Sequence, residues 1–245
     1  MKRIRTVGLC LAAVFALGAV AVSSASAADL LARVAGGGSV AGVTFLSSAT
    51  LPLLFTHSGK SMHCKHVTNH GLFLSATLGN VLIRFLGCTA KEGLVNVNCN
   101  TPGAGSGEIH LPLSTLFHLG LAHLGTNRTI PAVAILPGKT IVIQCSLVKI
   151  EVRGNVIGAL QKANGEPVEL ERSLSTVNLN FQQTANGLQH LRLILMPGST
   201  TPTTNDWETS FSGGVFELES EVANATLDGF TTSGGVATNI ELVEP

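Results

Sequence analysis

Tyrosine is missing from this chain, tryptophan occurs once, and only 12% of the residues carry a charge. Platforms for single-stranded nucleic acid stack bases on clustered aromatic rings, and ten dispersed phenylalanines with one Trp do not form such a cluster. Lysine and arginine are scattered singly, so the cation cluster that tracks a phosphate backbone is lacking as well. No nucleic-acid partner is expected. Aspartate is confined to Asp29, Asp206 and Asp228, and Asp228-Gly229 reads as a turn rather than an aspartic-protease triplet. Beyond residue 22 no uninterrupted apolar run is long enough to cross a bilayer as a helix.

The one long apolar run is at the start. Lys2, Arg3 and Arg5 precede an apolar stretch over 7–22 that closes on Ala25-Ser26-Ala27, the pattern of a secretory signal peptide. A signal helix over 1–27 is therefore expected, followed by an N-terminal arm and first strands over 28–60 and a single β-rich domain over 61–245. Cys10 follows Leu9 within the leader and does not mark a lipidation site. Removal of the leader takes three of the fifteen basic residues and none of the fifteen acidic ones, leaving a formal charge of −3. The expected location is outside the cytoplasm, secreted or associated with the envelope, with no stable membrane span after processing.

Four cysteines remain, Cys64, Cys88, Cys99 and Cys145, an even number in an oxidising compartment, and two disulfides are expected. Lys91-Glu92-Gly93 reads as a turn that brings two short strands together, favouring Cys88–Cys99 and leaving Cys64–Cys145. The chain-entropy relation assigns roughly 3 kcal/mol to the short loop and roughly 4.5 kcal/mol to the long one.

Helical periodicity is nearly absent. Short apolar runs alternate with polar residues and are punctuated by Gly, Asn, Pro and Ser about every ten residues, which predicts an all-β, antiparallel sandwich or barrel-like domain. Val148, Ile150 and Val152 face a core in this reading, with Lys149, Glu151 and Arg153 in water. Val177, Leu179 and Phe181 repeat the pattern. After Ala185-Asn186-Gly187 come Leu191, Leu193 and Leu195, and the pair is expected to form a hairpin. Further strands are expected over 40–45, 52–56, 62–67, 76–86, 95–99, 108–111, 130–135, 140–147, 156–160, 215–222 and 236–243. Segment 113–124 also suits a short helix but is read as a strand. The Gly-rich segment 35–40 reads as a loose arm, and 197–205 as a long loop within one domain.

Few residues carry recognisable chemistry. His63, Cys64, His66 and His70 stand at spacings that can ligate zinc or copper, but on a strand His63 points away from His66 and His70, and Cys64 is already assigned to a bridge. Ser146-Leu147-Val148-Lys149 matches the Ser-x-x-Lys of penicillin-binding enzymes, yet that chemistry needs the two side chains one helical turn apart, and Lys139-Thr140 is followed by Ile141 instead of Gly. Gly59-Lys60-Ser61 lacks the phosphate-loop glycine, Leu54 standing in its place. Glu166, Glu169 and Glu171 cluster as a charged loop, and Glu217, Glu219 and Glu221 form the wet side of a strand. No cofactor is expected.

Gly87-Cys88, Cys99-Asn-Thr-Pro-Gly-Ala104, Gly107-Glu-Ile109, Cys145 and Val152-Arg-Gly-Asn-Val-Ile-Gly158 occur in register with motifs of a group of exported β-rich proteins of soil actinobacteria, which the chain resembles over about residues 60–220. Thr101 and Asn155 stand where that group carries Ser. The resemblance implies export, a β-rich fold and a cysteine frame, and transfers no site. The glycines of these motifs read as turns and bends. The leading functional expectation is an exported, non-enzymatic protein that binds a ligand or serves a structural role at the envelope or outside the cell. The alternatives are a secreted hydrolase built from distant Glu, His and Ser residues, and a metal-binding protein centred on His66 and His70.

Overall fold

The computed structural model describes residues 30–50, 52–56, 60–92, 94–124, 128–182, 184, 190–191, 193–197, 199, 202–204 and 206–244, with the backbone alone at 53–56, 92, 124 and 219–221. The leader and the Ala185-Asn186-Gly187 turn lie outside the described residues. Among the described residues, twenty strands follow in chain order. They are β1 (Leu31–Val34), β2 (Thr44–Thr50), β3 (Leu53–Thr56), β4 (Ser61–His63), β5 (His66–Phe73), β6 (Leu78–Leu86), β7 (Thr89–Glu92), β8 (Val95–Asn100), β9 (Glu108–His110) and β10 (Leu116–Leu124). The second half comprises β11 (Arg128–Leu136), β12 (Ile141–Cys145), β13 (Val148–Arg153), β14 (Val156–Gln161), β15 (Val177–Phe181), β16 (Leu193–Leu195), β17 (Thr203–Thr204), β18 (Glu208–Phe211), β19 (Glu217–Thr231) and β20 (Ile240–Val243).

All ladders between these strands are antiparallel, and they close into rings. The larger runs β2, β5, β6, β10, β11, β14, β15, β19 and back to β2. A second, shorter-stranded set runs β3, β4, β7, β8, β12, β13 and β18, both ends meeting β19. The fifteen-residue β19 serves both, Val177 to Phe181 pairing with its 223–227 half and β3 with its 219–222 half. Strands β2 and β3, which precede residue 61, thus belong one to each ring and pair with strands from residue 61 onward.

The chain crosses between the rings at short breaks, and Gly154 shows why one of them is a glycine. It joins β13 to β14 at φ 95°, and a Cβ there would stand 2.1 Å from the Asp206 carbonyl oxygen. Asn155 N–H then donates to Asp206 Oδ1 at 2.7 Å, pinning the segment ahead of β18 to the crossing. The expected bend in the Val152 to Gly158 motif is this crossing.

The cysteines pair as Cys64–Cys88 and Cys99–Cys145, not as Cys88–Cys99 and Cys64–Cys145. The turn inference behind the expected pairing holds, since β7 and β8 form a hairpin with Thr89 opposite Asn98. Cys99 N–H even donates to the Cys88 carbonyl at 3.0 Å. Cys88 itself lies just outside the β7–β8 ladder, which ends at the Thr89–Asn98 pair. Cys99, by contrast, stands directly opposite Cys145 in the β8–β12 ladder, at a Cα separation of 4.2 Å, and is bridged there. Cys88 turns to Cys64, and their bridge joins the β4–β5 crossing to the β6–β7 crossing.

Among the described residues, Val177 to Phe181 and Leu191 to Leu195 do not pair as the expected hairpin, although His190 N–H donates to Gln182 O at 2.7 Å. Both edges of β15 are taken by β14 and β19, leaving none for β16, which pairs with β10 and β17 instead. The buried residues are Leu191 and Ile194, while Leu193 is partly exposed. They pack on the outside of the large barrel against Ala122, Ala132, Ala134, Ala159, Ile130 and Ile157. That cover explains why β11 is buried on both faces over most of its length.

Segment 35–40 is a turn, not a loose arm: Val34 N–H donates to Gly38 O and Gly37 N–H to Val34 O, both at 3.0 Å. Its preceding strand β1 pairs with β20 along its whole length. Segment 113–124 contributes β10, a strand as read from the sequence.

Candidate functional site

Within the large barrel the inward positions are apolar almost throughout. Eight strands enclose an interior that side chains just fill or that holds one small ligand. Phe45, Phe73, Phe117 and Phe230 cluster at the outer end, with ring centroids 5.1–6.1 Å apart in tilted and edge-to-face contacts. Two of these rings, Phe45 and Phe117, lie over wall glycines that face them in register. Phe45 opposes Gly71 and Phe117 opposes Gly79, and a Cβ on either glycine would fall 2.0–2.3 Å from the ring.

The rings lying flat leave axial space. An apolar cavity of about 70 Å³ runs inside the barrel, lined by residues from all eight strands. Ile240 and Leu242 of β20 line it at the outer end, and Trp207, next to the Gly154 crossing, at the other.

Two polar side chains break the apolar lining. Ser47 on β2 and Asn69 on β5 face each other in register, and Asn69 Nδ2 donates to Ser47 Oγ at 3.1 Å. Ser47 is 5% exposed. Asn69 Oδ1 is shut away from solvent and accepts no hydrogen bond from the described residues. Buried polar atoms are nearly always paired, so an orphaned amide oxygen in a cavity wall marks a place where something else can bond. The sequence carries a signal for it: Ser47 lies in phase with buried Phe45 and Ala49, and Asn69 in phase with buried Val67, so polar residues occupy core positions of two adjacent strands.

The residues singled out for chemistry stand elsewhere. His66 and His70 are exposed on the outer face of β5, where four strand residues hold their Cα atoms about 13 Å apart with side chains standing off the sheet. Cys64 beside them is bridged to Cys88, and the His63 ring nitrogen bonds Ser61 Oγ at 3.2 Å. Ser146 occupies the β12–β13 turn at φ 50°, and Lys149 pairs with Glu151 at 2.6 Å. Glu166 and Glu169 are exposed, both paired with Lys162, at 3.4 and 2.7 Å, and Glu169 also meets Arg172 at 2.7 Å. The Asn164 amide and the Lys162 ammonium hold Glu166 below the usual carboxylate range, Lys162 and Arg172 do the same to Glu169, and Glu169 foremost raises Lys162. This is a charged loop. Glu217 is exposed, while the side chains of Glu219 and Glu221 lie outside the described ones. Among the described residues, no three His, Cys, Asp or Glu side chains gather as metal ligands, and no helix is long and apolar enough to cross a membrane.

Comparison with protein-family models, with characterised proteins and with solved structures finds no match to this chain. The geometry of the barrel interior is therefore the main guide to its role.

Proposed function

We propose that the chain is an exported, non-enzymatic binding protein that acts at the cell envelope or outside the cell and holds a small apolar ligand within its larger barrel. The observation that carries this reading is the apolar cavity walled by all eight strands of that barrel. Ligand sites are concave and mostly apolar, with a few placed polar groups, and the Ser47–Asn69 pair in an otherwise greasy lining has that composition. Export is supported by the leader pattern over 1–27 and by the two disulfides, which persist in oxidising compartments. The alternatives draw less support. Glu166 and Glu169, which a hydrolase would set across a cleft, are exposed and spend their charge on Lys162 and Arg172.

The test is recovery of the ligand. The full-length protein, purified from culture medium and envelope fractions of cells that produce it, is analysed by native mass spectrometry and then extracted with organic solvent. A stoichiometric small apolar molecule released from the exported protein supports the reading. Recovery of the protein from the cytosol with its leader intact, or an exported protein that carries nothing and takes up no apolar probe, refutes it.

A further inference from the structure

The polar pair in the cavity wall narrows the ligand class, an inference that rests on the binding reading above. Asn69 Nδ2 gives one of its two protons to Ser47 Oγ, and Asn69 Oδ1 is an acceptor with no partner among the described residues. Ser47 Oγ, having accepted that bond, still carries its own proton to donate. The wall thus presents one acceptor and one donor side by side, set on facing residues of β2 and β5. Around them the lining is aliphatic or aromatic, with Phe45, Val67, Ile83 and Leu227 close in the ladders. A hydroxyl is the group that fits both, since it donates one hydrogen bond and accepts another. A carboxylate or ammonium would need a countercharge, and the lining contains no ionisable side chain. Size is set by the cavity: about 150 Å³ suffices for benzene in an engineered core, and about 70 Å³ is available here.

We infer that the large barrel binds a small aliphatic alcohol, its hydroxyl donating to Asn69 Oδ1 and accepting from Ser47 Oγ, and its hydrocarbon part against the apolar lining.

The experiment compares 1-propanol with n-butane, which has the same number of heavy atoms and a methyl group in place of the hydroxyl. Each is titrated by methyl NMR into the oxidised protein and into Asn69→Leu and Ser47→Ala variants. The readout is the ratio of the two affinities, in each variant against the unmodified protein, so that the different cost of removing alcohol and alkane from water cancels. The expected result is that both bind the unmodified protein and that Asn69→Leu shifts the ratio at least tenfold towards butane. Ser47→Ala, which leaves the fold's larger side chain in place, shifts it three- to tenfold the same way and serves if the leucine variant does not fold. An unchanged ratio in both variants, with both ligands bound, overturns the hydroxyl inference and leaves the apolar cavity standing. Binding of neither ligand overturns the cavity reading itself.

Discussion

Cys99 and Cys145 face each other across a ladder only two residue pairs long, and their disulfide joins β8 to β12 where hydrogen bonds alone hold least. The bridge closes the smaller ring at one of its weakest joints. The Cys64–Cys88 bridge does something different, tying together two crossings between the rings.

The two bridges are expected to contribute unequally. Their sequence separations are 46 and 24 residues, for which loop-closure entropy predicts about 4 and about 3.5 kcal/mol. Replacing Cys99 and Cys145 together by Ala adds the loss of the β8–β12 joint, so denaturant unfolding should show the larger drop for that pair. Non-reducing peptide mapping should recover Cys64 linked to Cys88 and Cys99 linked to Cys145. A Cys88–Cys99 peptide contradicts the structure.

A methyl group at residue 71 tests the flat packing of the aromatic cluster. Gly71→Ala sets a Cβ where the Phe45 ring now lies, and the ring's open direction is the axial cavity. Overpacking of this kind costs about 1–3 kcal/mol. The expected outcome is a loss of that size in thermal unfolding, with altered ring-current shifts at Phe73 and Phe230, which contact Phe45. An unperturbed spectrum would mean that Phe45 does not cover Gly71.

Gly154 and Gly165 both adopt positive φ, 95° and 83°, but only the first is crowded. Alanine at Gly165 meets nothing within 4 Å and should cost about 1 kcal/mol from its left-handed backbone alone. Alanine at Gly154 must also displace the Asp206 carbonyl, which threatens the Asn155–Asp206 hydrogen bond, and should cost about 3 kcal/mol or more. Equal losses for the two variants in urea titrations would refute the role of the crossing.

These contrasts indicate which parts of the fold were legible in the sequence. Alternation placed Val177, Leu179 and Phe181 inward and Lys149 and Arg153 outward, because each strand has one face on the barrel core. Pairing was less legible: Asn186-Gly187 is a strong local hairpin signal, but ring closure had already assigned both edges of β15. The cysteine partners depended on β8 pairing with β12 so that Cys99 stands opposite Cys145, a matter of register that spacing does not reveal. The cavity was hidden for a related reason. Its polar pair needs β2 and β5 to be neighbours, with Ser47 level with Asn69, and nothing in either strand alone states that alignment.

His118 on β10 supplies a pH test. It is half-buried on the barrel's outer face, level with Ala134 and Leu78, and burial lowers its pKa from the ordinary value of 6.5. The unfolded chain therefore binds a proton at higher pH than the folded one. By linkage, the folded state is favoured most above about pH 6.5, and this contribution is lost as pH falls through the unfolded value towards the lower folded one. Urea unfolding between pH 7.5 and 5 should show declining stability with a component that vanishes in His118→Gln. A slope that survives unchanged in His118→Gln would assign the proton to a different group.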